Sequence, residues 1–354
     1  MRTSTFDELD LAIVDAVRCA PRASWRELAP VLGVDAATIS RRWSRMREEG
    51  VAWVTAHPAG SATPACALVE IVCLPGRSGE VADVLAADVQ AATVKVTAGA
   101  RDLLVLAQAP DLYRLSAYLL ERVGRVPGIT RVRSHLVTGS ALDASRWREG
   151  ALSPEQRRRL GAEAEAEART GRGAVLEAPD HRIVRALADD GRMPLRRIAE
   201  RVGLGPVAVR RRLTRLQKTG LITFRCDISR LLSGRPVAAV LFGSLQAHDM
   251  DSVQGRIRRF SGVRSCSLVA GPHNVVVDAL LHTTEEAHDL ERSMSRELPS
   301  LRFQDRSVVL YTKKLLGRVL DEEGRSVRAV PLVADDLPEH QEALHERRRA
   351  AALQ

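Results

Sequence analysis

The sequence contains few lysines, no paired cysteines and no long apolar run. Only four of its 53 basic residues are lysines, so arginine supplies most of the positive charge. The five cysteines are scattered and form no Cys-x-x-Cys pair, which argues against a zinc ribbon or a disulfide framework. No apolar stretch approaches the roughly 20 residues of a membrane span, and the N-terminus does not resemble a signal peptide. We therefore expect a soluble, cytoplasmic protein with no metal, no other cofactor and no membrane contact.

The length and charge of the chain indicate several domains and a polyanionic partner. At 354 residues the chain is too long for one ordinary core, and 45% of its residues are hydrophobic, as in globular proteins. The net charge of +9 favours polyanions. An excess of arginine also arises in GC-rich genomes, so the positions of the arginines are more informative than their number.

An internal repeat organises the chain. Residues 10–55 align without gaps on residues 180–225 at an offset of 170, and the aligned pairs include Asp10 with Asp180 and Gly33 with Gly203. From Cys66 to Val137 the offset is 172. The chain therefore consists of two copies of one unit, and the second copy has two additional residues between its halves.

The first half of each unit predicts three helices followed by a short strand. In the first copy, Ser24 and Glu27 form a capping box that begins the second helix, and Gly33 ends it. Asp35 is a good N-cap for the third helix, whose apolar residues are spaced by three and four. Gly50 ends that helix. This order predicts a winged helix-turn-helix module.

The second half of each unit alternates strands and helices in the order βαββαβ, which is the ferredoxin-like plan. The fold class is therefore α+β, with two copies of a helix-turn-helix and a ferredoxin-like sensor domain. The predicted helix-turn-helix domains are residues 1–60 and 176–230, and the predicted sensor domains are residues 65–138 and 235–317. Residues 139–175 predict a charged, semi-rigid helical linker, and residues 318–354 predict a disordered tail.

The third helix of each module has the composition of a helix that reads DNA. Such a helix packs one apolar face on its own domain and presents basic and hydrogen-bonding groups to the major groove. The positions expected to contact double-stranded DNA are Thr38, Ser40, Arg41, Arg42 and Arg45 in the first copy and Arg210, Arg211, Arg212, Arg215 and Lys218 in the second. Arginine-rich faces are often only solvated surface, but arginine recurs at three of these positions in both copies, which favours DNA binding.

The two predicted reader helices differ in charge. The segment from Asp35 to Gly50 sums to +1, whereas the segment from Gly205 to Gly220 sums to +5 and contains no acidic residue. Because phosphate contacts dominate affinity, we expect the second module to bind DNA generically and the first to discriminate between sequences. The alternative is that the first reader helix has decayed, which would make the protein a structural or co-regulatory one at that module.

These motifs resemble the Lrp/AsnC family of feast-famine regulators. The resemblance is carried by Asp10, Ile13, Arg22, Ala29, Gly33 and Gly50 and again by Asp180, Ile183, Arg192, Ala199, Gly203 and Gly220. It implies a sequence-specific transcriptional regulator that self-associates through its sensor domains. Members usually carry one unit and dimerise, so two fused units suggest a pseudo-dimer within one chain.

The resemblance also implies an effector site at the turn between the second and third strands of each sensor domain. In the family, amino acids or related metabolites bind between paired domains near a Gly-x-x-Asp turn. Carried over by position, the effector residues are Gly99, Arg101 and Asp102 in the first unit and Gly271, His273 and Asn274 in the second. The carboxylate of Asp102 would form an ion pair with an ammonium group, whereas the uncharged side chain of Asn274 cannot. The alternative is that both sequences are ordinary hairpin turns.

An enzymatic alternative comes from the siroheme decarboxylases, which resemble this family in fold. Their chemistry would require histidines and arginines gathered in the sensor cavity to hold a polycarboxylate. The nine histidines are dispersed and show no metal-ligand spacing, so each is interpreted as a surface or turn residue. No nucleophile elbow, phosphate loop or carboxylate dyad is present in the sequence. The sequence therefore favours a DNA-binding regulator that is not an enzyme.

Overall fold

The computed structural model of the chain describes residues 6–59, 65–142, 150–161 and 175–333. Its elements follow the repeat in the sequence, because a helical module and a sheet-and-helix domain occur twice in the same order. Within these ranges, no helix combines the length and the apolar character that crossing a membrane requires.

The first helix-turn-helix module contains α1 (Glu8–Cys19), α2 (Trp25–Leu32), α3 (Ala36–Glu48) and strand β1 (Ala52–Pro58). The predicted capping box is confirmed, since Ser24 and Glu27 each accept a hydrogen bond from the backbone N–H of the other. Gly33 ends α2 with a φ of 69°, which favours glycine, and Asp35 caps α3. The inward face of α3 is formed, as predicted, by Ile39, Trp43 and Met46.

The second module repeats this arrangement with α7 (Ala178–Asp189), α8 (Leu195–Val202), α9 (Pro206–Lys218) and strand β6 (Ile222–Ile228). Pro206 occupies the first position of α9, where its missing N–H has no partner to lose. Its buried face is formed, as predicted, by Val209, Leu213 and Leu216. The two modules therefore pack their third helices by the same pattern of apolar residues.

Strands β1 and β6 join the two modules in a two-stranded antiparallel sheet. Thr55 lies opposite Arg225 at the centre of this sheet, and these residues are separated by the repeat offset of 170. A pseudo-dyad therefore passes through this pair and relates one module to the other.

The two predicted sensor domains each alternate strands and helices. The first contains β2 (Ala65–Cys73), α4 (Ser78–Ala87), β3 (Ala91–Ala98), β4 (Leu103–Ala109), α5 (Leu112–Ala117) and β5 (Ile129–Leu142). The second contains β7 (Val237–Ser244), α11 (Met250–Arg256), β8 (Val263–Val269), β9 (Val275–Leu281), α12 (Glu286–Glu297) and β10 (Arg302–Leu315). A short helix, α10 (Arg230–Ser233), precedes β7.

The eight strands of the sensor domains close into a barrel. Their order is β3-β4-β2-β5-β8-β9-β7-β10, and β10 also pairs with β3. The two junctions between units, β5 with β8 and β10 with β3, are exchanged by the pseudo-dyad. Helices cover the outer face of the barrel. Residues from both units, including Leu104, Phe242 and Val309, fill its interior.

The prediction of a disordered tail is wrong for residues 318–333. Strands β11 (Arg318–Leu320) and β12 (Ser326–Ala329) form a hairpin that extends β10. The Ser326 N–H donates to the carbonyl of Gly50, and Val333 is buried in the core of the second module. Composition did not reveal this segment because its partners lie on distant parts of the chain. Residues 334–354 of the predicted tail lie outside the described residues.

Part of the predicted linker packs against the first module instead of acting as a spacer. Helix α6 (Pro154–Arg159) begins with the expected capping box of Ser153 and Gln156. The Gln156 amide also donates to the carbonyl of Val31 at 2.8 Å, and Leu152 is buried in the core of the first module. Residues 150–161 are therefore part of that module. The linker prediction is also wrong for residues 139–142, which belong to strand β5 and pair with β8. The linker positions 143–149 and 162–174 lie outside the described residues.

Candidate DNA-binding surface and effector pocket

Two half-buried arginines hold the helix-turn-helix modules together. Arg22 donates to two backbone carbonyls of the second module, and Arg192 donates to two carbonyls of the first. The Arg192 guanidinium also lies over the ring of Trp25, 3.8 Å from its centroid. Burial, together with the nearby charge of Arg22, lowers the pKa of Arg192 to about 10. The acceptors are the carbonyls of Gly191, Met193, Pro21 and Ala23.

Two of the predicted DNA contacts of α3 bind acidic residues at the start of α1. Arg42 donates to Asp7 at 2.7 Å and to Asp10 at 3.2 Å, and Arg45 donates to Asp10 at 2.8 Å. The side chain of Asp10 is 0% exposed. The hydrogen bond from Arg42 lowers the pKa of Asp7. These ion pairs fix the reader helix against α1.

The second module repeats these ion pairs. Arg212 donates to Glu177 at 2.8 Å and to Asp180 at 3.1 Å, and Arg215 also binds Asp180. The acidic residues stand at the repeat offset of 170 from those of the first module. Four of the arginines predicted to contact DNA therefore have a carboxylate partner inside their own module, and the sequence pattern did not show these ion pairs.

The remaining predicted contacts differ between the two reader helices. Arg210, Arg211 and Lys218 of α9 are exposed. Among the three remaining predicted contacts of α3, Arg41 is exposed and Thr38 and Ser40 are half-buried. No ion pair involves any of these four cations within the described part of the chain. The Thr38 hydroxyl donates to the carboxylate of Asp35 at 2.7 Å. The surface of α9 is thus the more cationic one, in agreement with the charges in the sequence.

The last residue of each Gly-x-x-Asp position binds the backbone of its own unit. Asp102 accepts a hydrogen bond from the N–H of Cys73 at 2.7 Å, and Asn274 exchanges two bonds of 2.8 Å with the backbone of Leu245. Cys73 and Leu245 are equivalent by the offset of 172. The hairpin-turn interpretation therefore accounts for this side chain in both copies.

The glycine of each turn approaches the last strand of the other unit. Gly99 has a φ of 122°, and a Cβ atom there would lie 3.2 Å from the Ser307 hydroxyl. Gly271 has a φ of 143°, and a Cβ atom there would lie 3.1 Å from Nδ1 of His135. Both turns thus lie at the interface of the two units, where the family resemblance places an effector.

Arg101 is the centre of a charged network inside the barrel. It is 3% exposed and donates to Glu70 at 2.6 Å and to the Ser307 hydroxyl at 2.7 Å. It also forms an ion pair with Asp305, and its guanidinium lies 4.2 Å from the ring centroid of Phe242. Two carboxylates therefore compensate its charge.

The interpretation of every histidine as a surface or turn residue is wrong for His135. This side chain is 2% exposed, and its Nε2 lies 2.6 Å from a carboxylate oxygen of Glu70. Burial opposes ionisation of Glu70, but the contacts with His135 and Arg101 outweigh it and hold the pKa at about 2. The ring of His273 packs edge-on against the ring of Phe242, with 6.4 Å between the two ring centroids. Folding thus gathers histidines that are dispersed in the sequence.

A pocket opens beside this network between the two units. Of the predicted effector residues, Arg101 and His273 line it, whereas Gly99, Asp102, Gly271 and Asn274 do not. Nδ1 of His273 is buried without a hydrogen-bond partner among the described residues. The other lining residues are Glu70, Val72, Ala100, Arg131, Arg133 and Asp305.

Sequence reasoning missed several residues of this pocket. Arg131 and Arg133 of the pocket alternate along β5 with His135 of the adjoining network, and Glu70 interrupts an apolar strand, so a search for polar residues at every second strand position would have found them. Arg131 and Arg133 are exposed, and neither has an ion pair within the described ranges. They add positive charge to a pocket whose carboxylates, Glu70 and Asp305, are already bound to Arg101.

Comparison with known proteins supports the repeat and the domain types. Residues 6–47 and 178–217 match the AsnC-type helix-turn-helix domain, and residues 66–147 match the Lrp/AsnC ligand binding domain. The HTH-type transcriptional regulator LrpA of Mycobacterium tuberculosis is 31% identical over 138 residues, which are 38% of this chain and 90% of LrpA. The chain belongs to the Lrp/AsnC family. An HTH-type transcriptional regulator of Pyrococcus furiosus is 28% identical over 137 residues, which are 37% of this chain and 91% of that regulator.

The Lrp/AsnC assignment confirms the tandem duplication, since two segments match the helix-turn-helix domain. Over the whole chain, the fold is similar to that of the siroheme decarboxylase NirDL solved with an iron-uroporphyrin III analogue. The TM-score is 0.60, the match covers 96% of this chain and 99% of that chain, and the identity is 13%. At this identity the likeness concerns the fold alone.

Proposed function

We propose that this Lrp/AsnC regulator reads two DNA half-sites with one polypeptide. The observation that carries the proposal is the pairing of its helix-turn-helix modules through β1 and β6 and the reciprocal contacts of Arg22 and Arg192. Dimeric helix-turn-helix proteins bind operators whose half-sites share the symmetry of the protein. A pseudo-dyad inside one chain suits an operator with two related half-sites.

The proposal assigns a role to each predicted segment. Residues 1–60 and 176–230 are the DNA-binding domains, with β1 and β6 in the place of the wings. Residues 65–138 and 235–317 are paired ferredoxin-like domains, and the strand order of the second supports its origin as a copy of the first. The closed barrel would hold the two DNA-binding domains at a fixed separation.

The two modules are proposed to divide affinity and discrimination between them. Arg210, Arg211 and Lys218 face solvent on α9 without a carboxylate partner in the described structure, so they suit phosphate contacts. On α3, Ser40 and Arg41 provide hydrogen-bonding groups at lower net charge, which suits the reading of base edges.

Selection from a random duplex library at two salt concentrations tests this function. We compare the wild-type chain with Arg210→Ala/Arg211→Ala, with Ser40→Ala/Arg41→Ala and with the control Arg292→Ala, whose side chain lies on α12 of the sensor barrel and is 64% exposed. The wild-type and control chains should select two related half-sites. The Arg210→Ala/Arg211→Ala variant should bind all duplexes more weakly and with a smaller salt dependence, whereas the Ser40→Ala/Arg41→Ala variant should lose the base preference of one half-site.

Other outcomes would change the assignment. If only the α9 variant affects selection, the first module has a different task. If the wild-type chain selects no sequence at either salt concentration, the proposal of a sequence-specific regulator is wrong.

We further propose that the pocket between the units takes an amino acid or a related carboxylate metabolite. Arg131 and Arg133 would meet the carboxylate, while Asp305 and the unpartnered Nδ1 of His273 supply the remaining polar contacts. DNA affinity measured with each common amino acid tests this, using Arg131→Gln/Arg133→Gln and the exposed control Arg125→Gln. A response that survives the paired substitution would place the effector elsewhere.

A siroheme-decarboxylase-like activity is the second candidate, favoured by the shared fold and by the gathering of His273 and three arginines at the pocket, beside the His135–Glu70 pair. The carboxylates of Glu70 and Asp305 oppose it, because they would face the carboxylates of a tetrapyrrole. Titration with iron-uroporphyrin, followed by absorbance, decides the question. A saturable spectral change that is lost in His135→Ala would favour the enzyme.

A further inference from the structure

A second pocket lies where the helix-turn-helix pair meets the barrel. Its wall includes Arg18 of the first module, Ser229 and Arg230 at the start of α10, and residues of the hairpin formed by β11 and β12. Two polar residues of the second unit that line this pocket are replaced by apolar residues at the equivalent positions of the first unit. Positions equivalent to Arg264 and Asp278 in the first unit are Ala92 and Leu106.

Most of the cations at this pocket bind a carboxylate of the protein. Lys95 pairs with Asp278 at 2.5 Å, and Arg264 pairs with Asp227 at 2.6 Å. Arg18 likewise pairs with Asp15 at 3.2 Å. These ion pairs leave little positive charge for a ligand.

Arg230 is the exception. It donates only to the backbone carbonyls of Pro236, Val309 and Leu310, at 3.3 to 3.4 Å, and forms no ion pair with any residue that the structure describes. Burial lowers its pKa, although an arginine side chain remains charged at neutral pH. The negative charge of Asp278 opposes this lowering of the Arg230 pKa, but Asp278 is already bound to Lys95.

The neighbouring Ser229 carries an unused hydroxyl. Ser229 is 2% exposed, and its Oγ has no hydrogen-bond partner among the described residues. It precedes α10, but its side chain does not cap that helix. Buried polar groups without a partner are rare in native proteins, so this hydroxyl indicates a ligand group that the protein does not supply.

We propose that this junction pocket binds a small anionic molecule through Arg230 and Ser229. A carboxylate or a phosphate group would accept from both side chains, and a guanidinium binds either group with paired hydrogen bonds. Asp321 and Glu322 of the hairpin stand in the same wall, so a singly charged anionic group is favoured over a polyanion. The site is independent of the effector pocket between the units and of the proposed division of the reader helices.

Occupancy of this pocket would link the DNA-binding modules to the barrel. The wall joins α1, the end of β6, the barrel strands and the terminal hairpin, and Gly324 of that hairpin approaches the backbone N of Arg230. A ligand here therefore contacts each part whose relative orientation sets the spacing of the reader helices.

Thermal unfolding of the full chain with inorganic phosphate or acetate at constant ionic strength tests the site. The variants are Arg230→Gln, Arg230→Lys, Ser229→Ala and the control Arg235→Gln; Arg235 also donates to a carbonyl but does not line the pocket. All variants keep the same reader helices, so anion binding at those helices is common to every measurement.

The wild-type and control chains should show a saturable rise in melting temperature with at least one of the two anions. Arg230→Gln should weaken the apparent affinity at least tenfold, Ser229→Ala should weaken it less, and Arg230→Lys should retain part of it. Phosphate and acetate distinguish the two ligand chemistries. No saturable rise with either anion would overturn the proposal, as would an equal response in Arg230→Gln or an equal loss of response in the control Arg235→Gln. If Arg230→Gln does not fold, Ser229→Ala and Arg230→Lys decide.

Discussion

Arg192 shows how one side chain can stabilise the pairing of two domains. We expect Arg192→Ala to lower the free energy of unfolding by about 2–3 kcal/mol, because it leaves two carbonyls without a charged donor and removes the contact with Trp25. Urea unfolding measures the change. The matched control is Arg196→Ala, whose side chain is 88% exposed and should cost under about 0.5 kcal/mol. Equal losses in both variants would contradict the role assigned to Arg192.

Lys314 predicts a pH dependence of stability. Its side chain is fully buried and donates to the carbonyl of Asp88 at 2.7 Å, and burial lowers its pKa to about 7 from an unfolded value of 10.5. Between these two values the unfolded chain holds a proton that the folded chain has released. Stability from this group therefore rises with pH across that window, by up to about 1.4 kcal/mol per pH unit.

The comparison with Lys314→Met isolates this contribution from those of other titrating groups. The difference in unfolding free energy between the wild-type chain and the variant should increase from pH 7 to pH 9.5, as measured by urea unfolding at several pH values. A difference that stays constant over this range would show that Lys314 keeps its ordinary pKa.

The sequence did not predict which side chains form ion pairs with one another at the site. The outward positions of Arg42 and Arg45 follow from helical periodicity, but their partner Asp10 lies more than 30 residues earlier and no spacing rule connects them. The DNA contacts assigned to these arginines stay predictions. By contrast, the cap of α2 was predictable because Ser24 and Glu27 are three residues apart.

The reader helix α3 should separate stability from DNA affinity. Arg42→Ala removes a partner of the buried Asp10, so we expect a loss of about 1–3 kcal/mol in unfolding free energy. Arg41→Ala should change stability by under about 0.5 kcal/mol, weaken DNA binding by about 1–3 kcal/mol and relax the base preference of one half-site. Urea unfolding and fluorescence-anisotropy titrations at several salt concentrations provide the two measurements. The reverse pattern would exchange the roles of the two arginines.

The terminal hairpin should contribute to the stability of the whole chain. Leu320, Val330 and Val333 are buried, so a chain ending at Gly317 should lose about 3 kcal/mol or more of unfolding free energy. A chain ending at Val333 is the control that retains the hairpin. If both truncated chains unfold at the same urea concentration, the hairpin does not brace the modules.

Elements defined by local signals were predicted better than elements defined by distant contacts. Helices with caps and strands bounded by turns appear where the repeat places them. The second helix of the first βαββαβ unit begins as α5 but continues as a π-helical turn and a 3₁₀ turn, which periodicity alone does not reveal. The hairpin at 318–329 is short and charged, and its partners are contributed by three other domains.

At the scale of the whole molecule, the closed barrel predicts that one chain occupies a complete operator. The barrel is closed at both junctions between the units, and β1 pairs with β6, so the two predicted reader helices belong to one pair within the chain. Native mass spectrometry of the complex with a two-half-site duplex should show one chain per duplex at low protein concentration. A minimum of two chains per duplex would mean that each chain contributes only one reader.

The duplication itself was visible in the sequence, whereas the closure of the barrel was not. An offset of 170 and then 172 gives the equivalence of residues, but strand pairing between units depends on edges that carry no sequence mark. The charged interior of the barrel likewise depends on both units at once, since Arg101 meets Asp305 and Ser307 across the junction.

The Thr55–Arg225 pair has a consequence for the ancestry of the chain. In a symmetric homodimer, the residue on the axis faces its own copy. A homodimer of the second unit built through β6 would set two Arg225 side chains directly opposite each other, and like charges in that position are destabilising. Fusion frees this position from self-complementarity, so Arg225 can face Thr55 and keep its ion pair with Asp227.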